Sequence, residues 1–134
     1  MSDRTAVEDL ANRYSLAYDT ADLETLESVF TEDATFSMVI AGGDKISFGP
    51  RDAIMKLMSD SLSSQKDQRR HVNSNLIVEG TDGGVTRTKH YLTLMGTEDG
   101  EIKLLSAGVY SSEIVDEGGS PRFRVLHLDL DKAY

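Results

Sequence analysis

The chain has 134 residues, the size of a single domain that can bury a substantial apolar core. It contains no cysteine, which excludes disulfide bridges, thiolate nucleophiles and cysteine–zinc sites. Its formal net charge of −9 argues against binding to the phosphate backbone of a nucleic acid. The sequence starts without an apolar leader and has no apolar run of membrane-spanning length, so we expect a soluble cytoplasmic protein.

The first half of the chain alternates between helical and strand-like patterns. Apolar residues recur every three or four positions from Asp3 to Tyr18, which predicts an amphipathic helix. Asp22 is suited to cap a shorter helix from Leu23 to Phe30. A strand from Ala34 to Ile40 then leads through a glycine-rich turn into a short strand from Lys45 to Phe48, which predicts a hairpin.

The second half is one more helix followed by strands. Gly49-Pro50 ends the hairpin, and helical spacing returns from Arg51 to Ser61. Acidic, glycine-rich turns then separate four predicted strands, over Arg70–Glu79, Val85–Met95, Ile102–Val115 and Arg122–Leu130. Helices gathered at one end of an antiparallel sheet indicate the α+β class. We predict one domain over residues 1–134, in which a strongly curved, mostly antiparallel sheet wraps around the first helix and encloses a pocket.

Asp19 and His71 are the leading candidates for chemistry. Asp19 lies at the end of the first helix, and His71 lies early in the first long strand. If the fold brings them together, the carboxylate can orient an imidazole that moves protons near neutral pH. The chain has only three histidines, so few other side chains could do this work.

Alternation along the strands indicates which residues can share a wall with His71. Three sets are predicted to face the same way: His71, Asn73, Asn75 and Ile77; His90, Leu92 and Leu94; and Leu104, Ser106, Gly108 and Tyr110. An antiparallel arrangement could thus place His71, His90 and Ser106 on one concave wall, although the sequence leaves the strand register open. On the helix, Tyr14 and Tyr18 are one turn apart and face the same way.

Each of these residues also has a simpler structural interpretation. A strand histidine is commonly a core or interface residue, and helix tyrosines commonly pack with the hydroxyl at the rim. Asp19 could simply end a helix. His127, close to Asp129 in the last strand, is interpreted as structural or as part of an interface. No histidine pair has metal-ligand spacing, no glycine-rich phosphate loop follows a strand, and Gly-x-Ser-x-Gly is absent.

Three short motifs point to a family. They are Tyr18-Asp19-Thr20-Ala21-Asp22, Phe30-Thr31-Glu32-Asp33-Ala34 and Gly49-Pro50-Arg51-Asp52-Ala53-Ile54. With the order of elements, they make the whole chain resemble the SnoaL-like families of the nuclear-transport-factor-2-like superfamily. The resemblance implies a cone-shaped α+β barrel with a pocket lined by the first helix and the curved sheet. Within the superfamily, the chain looks most like the branch that holds scytalone dehydratase, bile-acid 7α-dehydratase and hexachlorocyclohexane dehydrochlorinase.

The resemblance to that branch assigns catalytic roles to five residues. It implies that Asp19 and His71 form the catalytic pair, because members carry an aspartate late in the first helix and a histidine early in the first long strand. Tyr18 matches a tyrosine that precedes the aspartate in scytalone dehydratase, and His90 matches its second histidine. Tyr14 matches a tyrosine of bile-acid dehydratase.

The resemblance also implies three substrate-binding positions. Ser106 matches the serine of a Ser-Ala pair on the third long strand. Met38 stands where scytalone dehydratase has a second catalytic tyrosine, and Gly108 stands where it has an asparagine. A hydroxyl-rich aromatic substrate held in the scytalone manner is therefore not expected.

With the residues that match it, the resemblance implies a cofactor-independent lyase, a dehydratase that removes water from a cyclic hydroxylated carbonyl compound or a steroid-like small molecule. His71 would take the proton next to the carbonyl and Asp19 would hold its tautomer, while Tyr18 or Tyr14 would donate to the developing enolate. His90 and Ser106 would position the leaving hydroxyl or a water. The carbonyl itself accepts the electrons, so no cofactor and no metal are expected.

Other functions remain open. An isomerase or cyclase on the same scaffold would shift a proton without losing water. A non-catalytic small-molecule-binding protein or an assembly module would use neither residue chemically, and a filled barrel would favour the assembly module. The expected partners are a small-molecule substrate and further copies of the chain, as a trimer or a dimer, since both occur among the relatives. Neither a nucleic acid nor a membrane is an expected partner.

Overall fold

The computed structural model describes residues 3–134, which form three helices and six strands. In chain order these are α1 (Arg4–Asp19), α2 (Leu23–Ser28), β1 (Phe30–Ile40), β2 (Ile46–Phe48), α3 (Arg51–Ser64), β3 (Gln68–Asp82), β4 (Val85–Glu98), β5 (Glu101–Glu117) and β6 (Ser120–Leu130). The order of elements is the one predicted from the sequence. The α+β class is confirmed.

The sheet is curled and mostly antiparallel. Its strand order is β2-β1-β6-β5-β4-β3, and only the β1–β6 pair is parallel among the described strands. Helix α1 lies against β3, and α3 lies against β1. The core therefore forms between the helices and the concave face of the sheet, as the cone-shaped fold requires.

An aromatic cluster fills the centre of this core. The Tyr14 ring meets the rings of Phe30, Tyr110 and Phe123 edge-on, with ring centroids 5.9 to 6.2 Å apart. All four side chains are buried. Edge-to-face packing of this kind adds to the stability that burial alone supplies, at about 0.5–1.5 kcal/mol for each pair.

The boundary between α2 and β1 differs from the prediction. Phe30 was expected to end the second helix and Ala34 to begin the strand, but α2 ends at Ser28 and β1 begins at Phe30. Phe30 pairs with Phe123 of β6, and the pairing then shifts before Thr35. Tertiary strand pairing has overridden local preference here, and the turn-forming residues Glu32-Asp33 are accommodated in that irregularity.

Two irregularities in the long strands also correct the predicted faces. The register of β3 shifts between Ser74 and Ile77, where Asn75 adopts a φ of 57°. His71 and Asn73 face inwards as predicted, but Ile77 is 61% exposed. A second shift places Leu104 of β5 outside, 67% exposed, and turns Leu105 towards the core. At each shift one strand has an extra residue, and the inward and outward positions of that strand are exchanged beyond it.

No helix within residues 3–134 has the length and apolar character needed to cross a membrane. No group of three or more histidine, aspartate or glutamate side chains in that part of the chain is arranged to hold a metal ion.

Gly108 of β5 shows why one position admits no side chain. A Cβ there would collide with the backbone carbonyl of Asp129 on the neighbouring strand β6. We expect Gly108→Ala to lower the free energy of unfolding by about 1–3 kcal/mol, because the two strands must move apart. Urea denaturation checks this. Ala107→Ser, on the next residue, should change stability by less than about 0.5 kcal/mol. Equal stability of Gly108→Ala and the wild type would contradict this explanation of the glycine.

Candidate active site

The fold brings Asp19 and His71 into direct contact. His71 Nδ1 lies 2.7 Å from Asp19 Oδ1, and the backbone N–H of His71 donates to Asp19 Oδ2 over 2.9 Å. The side chains are only 5% (Asp19) and 9% (His71) exposed. Both carboxylate oxygens are therefore used to hold one residue, which fixes the position of the imidazole as well as its orientation.

The end of α1 is what presents Asp19 to β3. Asp19 is the last residue of the helix, and its backbone carbonyl accepts a hydrogen bond of 2.8 Å from Gln68 Nε2 at the start of β3. The chain then turns through Ala21, at a φ of 56°, to Asp22, whose side chain caps α2 by accepting from the Thr25 N–H. The motif around Asp19 thus joins two helices and places the carboxylate beneath the first strand residues.

The surroundings of His71 suit a group that becomes positively charged. An ionised carboxylate only accepts hydrogen bonds, so Nδ1 carries the proton in the neutral imidazole and Nε2 keeps its lone pair. Asp19 also lies in the last turn of α1, where the backbone carbonyls carry partial negative charge. Carboxylate and helix end both stabilise the imidazolium that forms if Nε2 takes a proton.

Tyr18 lies beside the pair. Its ring meets the His71 ring edge-on, with centroids 5.2 Å apart, and its hydroxyl donates to Gln65 Oε1 over 3.2 Å. Burial raises the pKa of Tyr18, opposed by the positive charge of Arg69. The hydroxyl is therefore a proton donor at neutral pH, at the point where α1 meets the end of α3.

A cavity of about 380 Å³ opens on the far side of Gln65. Its walls include Met38 of β1, Gln65, Arg69 of β3, and Tyr134. Neither His71 nor Asp19 is part of the wall. Two residues connect this cavity with the Asp19–His71 pair. Gln65 accepts the hydrogen bond from the Tyr18 hydroxyl. Arg69 lies two residues before His71, roughly 7 Å along the same face of β3.

Arg69, Gln65 and Tyr134 line this cavity but were not among the site residues predicted from the sequence. Arg69 Nε pairs with Asp67 Oδ2 at 3.3 Å, and its guanidinium lies 4.8 Å from the centre of the Tyr134 ring. Strand parity could have indicated Arg69, because it precedes His71 by two residues. Nothing local identifies Gln65 or Tyr134, since their positions depend on how α3 and the C-terminal residues pack.

Tyr14, the other tyrosine predicted to be catalytic, lies in the aromatic cluster of the core. It is one helical turn from Tyr18, it is buried, and its hydroxyl is hydrogen-bonded to that of Tyr110 within the cluster. Burial raises its pKa well above the ordinary value. The structure thus separates the two tyrosines: the Tyr18 hydroxyl reaches Gln65 in the cavity wall, and Tyr14 packs in the core.

His90 shares the inward face with His71 but lies at a different place on it. His71 pairs with Leu94, and His90 lies four residues before Leu94, roughly 13 Å along β4. The His90 ring stacks on Tyr110, with centroids 4.9 Å apart, and the residue is 5% exposed. Burial lowers the pKa of His90 to about 4, so the imidazole is neutral at pH 7.

Ser106 and Gly108, the predicted substrate-binding residues of β5, have structural contacts. The Ser106 hydroxyl donates to the backbone carbonyl of Lys132 over 2.7 Å and so holds the C-terminal residues against the sheet. Ser106 pairs with Leu94, which separates it from His71 by one strand. Gly108 allows the close approach of β6 described above. The predicted concave wall exists, but its three polar residues do not converge on one point.

His127 forms a separate group with Ser37 and Asp129. Its Nδ1 lies 2.6 Å from Ser37 Oγ, and its Nε2 lies 3.3 Å from Asp129 Oδ1. The three residue types are those of a hydrolase triad, but a triad serine must be reached by substrate. Ser37 is 1% exposed, so this group links β1 to β6 instead.

The family profile of the SnoaL-like domain matches residues 1–127. The chain therefore belongs to the SnoaL-like family, which confirms the resemblance drawn from the sequence motifs. A relative, the terrestric acid biosynthesis cluster protein E of Penicillium crustosum, is 29% identical over 139 residues, covering 97% of this chain and 83% of the relative.

Solved structures agree on the fold. The beta subunit of the benzoate 1,2-dioxygenase from Burkholderia mallei superposes with a TM-score of 0.81 at 17% identity, covering 97% of this chain and 91% of its own. ActVI-ORFA from Streptomyces coelicolor superposes with a TM-score of 0.81 at 18% identity, and the match covers 95% of this chain and 96% of ActVI-ORFA. An NTF2-like protein with a cystatin-like fold from Novosphingobium aromaticivorans superposes with a TM-score of 0.78 at 18% identity, and the match covers 96% of this chain and 81% of that protein.

The buried, neutral His90 generates a prediction about pH. The unfolded chain takes up a proton on this residue near pH 6.5, whereas the folded protein resists it until about pH 4. The contribution of the buried, neutral His90 to the free energy of unfolding is therefore fully present above pH 6.5, and it is lost as the pH falls towards 4. The loss amounts to about 2–3 kcal/mol.

Urea denaturation at pH 7 and at pH 4.5 tests this with a matched pair of variants. His90→Phe keeps a ring that can stack on Tyr110, and it should lose about 2–3 kcal/mol less stability than the wild type between the two pH values. Leu92→Met, two residues along the same buried face of β4, changes no titratable group and should retain the wild-type dependence. The same pH dependence in His90→Phe and the wild type would show that His90 is not kept neutral by burial.

Proposed function

We propose that this protein is a cofactor-independent enzyme that abstracts a proton next to a carbonyl group of a small cyclic metabolite and then eliminates water. The observation that carries the proposal is the contact of His71 Nδ1 with Asp19 Oδ1 at 2.7 Å, in a setting where both side chains are nearly buried. A histidine held in one tautomer by a carboxylate is a suitable general base near neutral pH.

The proposed reaction proceeds through an enolate. His71 Nε2 takes the proton from the carbon next to the carbonyl, and the C–H electron pair moves towards the carbonyl oxygen. When the enolate collapses, a carbon–carbon double bond forms and the bond to the hydroxyl on the next carbon breaks. The leaving hydroxide takes the proton back from the His71 imidazolium, and the products are an unsaturated carbonyl compound and water.

Two groups beside the cavity could stabilise the negative charge of the enolate. The Tyr18 hydroxyl is already oriented towards the wall by its hydrogen bond to Gln65. The Arg69 guanidinium adds positive charge, which is only partly neutralised by Asp67 at 3.3 Å. Donors that are already aligned where charge develops lower the barrier most, because they need no reorganisation during the reaction.

The relative from Penicillium crustosum supports a role in the chemistry of small metabolites. It is named for the terrestric acid biosynthesis cluster, and the match extends over 97% of this chain. We infer by analogy that this chain acts on an organic metabolite. An isomerase or cyclase using the same proton abstraction is the alternative on this scaffold.

Substitution of the pair tests the base. We expect His71→Gln to lower kcat by about 10²–10⁴-fold, because it removes the base while retaining a hydrogen-bonding side chain. Asp19→Asn should lower kcat substantially too, because an amide can donate to Nδ1 and so favour the wrong tautomer. His127→Gln is the matched control and should leave kcat within about twofold of the wild type. Unchanged activity in both His71→Gln and Asp19→Asn would contradict the proposal.

Product analysis separates elimination from isomerisation. Cyclic β-hydroxyketones, and the same ketones without the hydroxyl, would be incubated with the protein in deuterium oxide and followed by NMR and mass spectrometry. We expect deuterium at the carbon next to the carbonyl in the ketones without the hydroxyl, because their enolate can only be reprotonated, and loss of one water from the hydroxyketones. Deuterium uptake by both sets with no loss of water from the hydroxyketones would support the isomerase or cyclase. Absence of deuterium uptake, with His71→Gln indistinguishable from the wild type, would favour a non-catalytic binding protein.

A further inference from the structure

The cavity beside Gln65 has two chemically different sides. Its volume of about 380 Å³ is within the range of roughly 300–1,000 Å³ that is typical of small-molecule sites. One side is formed by apolar side chains of β1 and β6, namely Met38, Ile40 and Leu130. The other side is formed where α3 ends and β3 begins, and it carries two cations, Lys66 and Arg69. The cavity is therefore suited to a molecule that is apolar at one end and negatively charged at the other.

The charge of this cavity is opposite to that of the whole protein. The chain has 23 acidic and 14 basic residues, and its net charge of −9 repels anions overall. No aspartate or glutamate of residues 3–134 belongs to the cavity wall. A concave surface lined by charges of one sign concentrates their field, so this cavity attracts anions that the rest of the protein repels.

Lys66 is a cation without a protein partner. Its side chain is exposed, and it forms no ion pair or hydrogen bond with the part of the chain that the structure describes. Other lysines are paired: Lys56, Lys89 and Lys103 each lie 2.9 to 3.8 Å from a carboxylate. The Lys66 ammonium therefore keeps its three hydrogen-bond donors available to a molecule in the cavity.

Arg69 is held in place, whereas Lys66 is free to move. Arg69 Nε pairs with Asp67 Oδ2 at 3.3 Å, and its guanidinium lies 4.8 Å from the centre of the Tyr134 ring. Lys66 precedes Arg69 by three residues, so their Cα atoms are at most about 11 Å apart. A compound of one or two rings can span that distance. Arg69 can thus stabilise the enolate while Lys66 binds a second group of the same molecule.

We propose that the substrate of this cavity is a cyclic compound with a carboxylate, which Lys66 binds while the ring packs against the apolar side. This inference rests on the proposed function, because it names the substrate class of the same cavity. One unpaired ammonium balances one negative charge, so a carboxylate suits the site better than a phosphate, which carries up to two. Lys66 contacts the substrate away from the reacting carbon and therefore determines specificity.

The matched probes are cyclohexanecarboxylate and cyclohexanecarboxamide, which have the same ring and differ in charge. The methionine methyl groups would be labelled with carbon-13, because Met38 is the one methionine among the described residues of the wall. Titration with the carboxylate at pH 7 should shift the Met38 methyl signal saturably, with a Kd on the order of 1–10 mM. The carboxamide should bind about tenfold more weakly. Added salt should weaken binding of the carboxylate alone.

Lys66→Gln tests the contact itself. It should weaken binding of the carboxylate about tenfold, to the affinity of the carboxamide, because glutamine keeps hydrogen-bond donors but not the charge. Lys89→Gln is the matched control: it removes the same charge from β4, roughly 26 Å along the strand from Thr97, which pairs with Gln68. This variant should bind the carboxylate as the wild type does, and so should His71→Gln, because binding requires no base. Equal affinity for the two probes, unchanged affinity in Lys66→Gln, or shifts confined to other methionines would overturn the proposal.

Turnover distinguishes a failure of this proposal from a failure of the proposed function. Lys66-dependent binding of the carboxylate, without loss of water from any hydroxyketone, would support the anion site and contradict the dehydratase. Loss of water from neutral hydroxyketones, at the same kcat/KM as from hydroxyketones that carry a carboxylate, would support the enzyme and overturn the anionic substrate class.

Discussion

The structure around the candidate active site depends on one buried carboxylate that holds one residue through both of its oxygens. Asp19 accepts from the ring and from the backbone N–H of His71, and few solvent molecules can compete because both side chains are nearly inaccessible. A buried charge without partners would cost several kcal/mol, so this pairing stabilises the fold as well as orienting the imidazole. It ties the end of α1 to the start of β3 and thereby fixes the helix across the sheet.

That constraint explains the arrangement of the other site residues. With the end of α1 held at His71, Tyr18 meets the imidazole edge-on and its hydroxyl reaches Gln65 beside the cavity. Tyr14, one turn earlier, is directed into the aromatic cluster. A single helix therefore supplies a hydroxyl that reaches the cavity-lining Gln65 and a packing residue in the core, and the two tyrosines differ in their positions along the helix.

The irregularity of β3 at Asn75 divides the concave face into regions with different properties. Up to Asn73 the alternation of β3 is regular, and its inward residues His71 and Asn73 form hydrogen bonds to Asp19 and Ser15 of α1. Beyond Asn75 the faces exchange, Leu76 packs inwards, and a cleft opens towards His90. The bulge thus separates the surroundings of a histidine paired with a carboxylate from those of a histidine kept neutral by burial, although the strands that carry them are neighbours.

Much of the fold followed from the sequence because its causes are local. Helical spacing, an aspartate cap at Asp22 and the glycine-rich turns gave the order of elements, and the motifs around Asp19 led to the SnoaL-like family. The sequence missed the bulges at Asn75 and Leu105 and the strand start at Phe30, because each depends on pairing with residues far away along the chain.

For the site, the sequence by itself determined the identity of the pair, Asp19 and His71, and the tertiary structure decided everything that depends on distance. Only the register of β3, β4 and β5 could separate His90 and Ser106 from His71, since a strand pattern gives a face and not a position along it. Only the packing of α3 and the C-terminal residues could place Gln65 and Tyr134 at a cavity. Alternation is a property of one strand, whereas a site is formed by several.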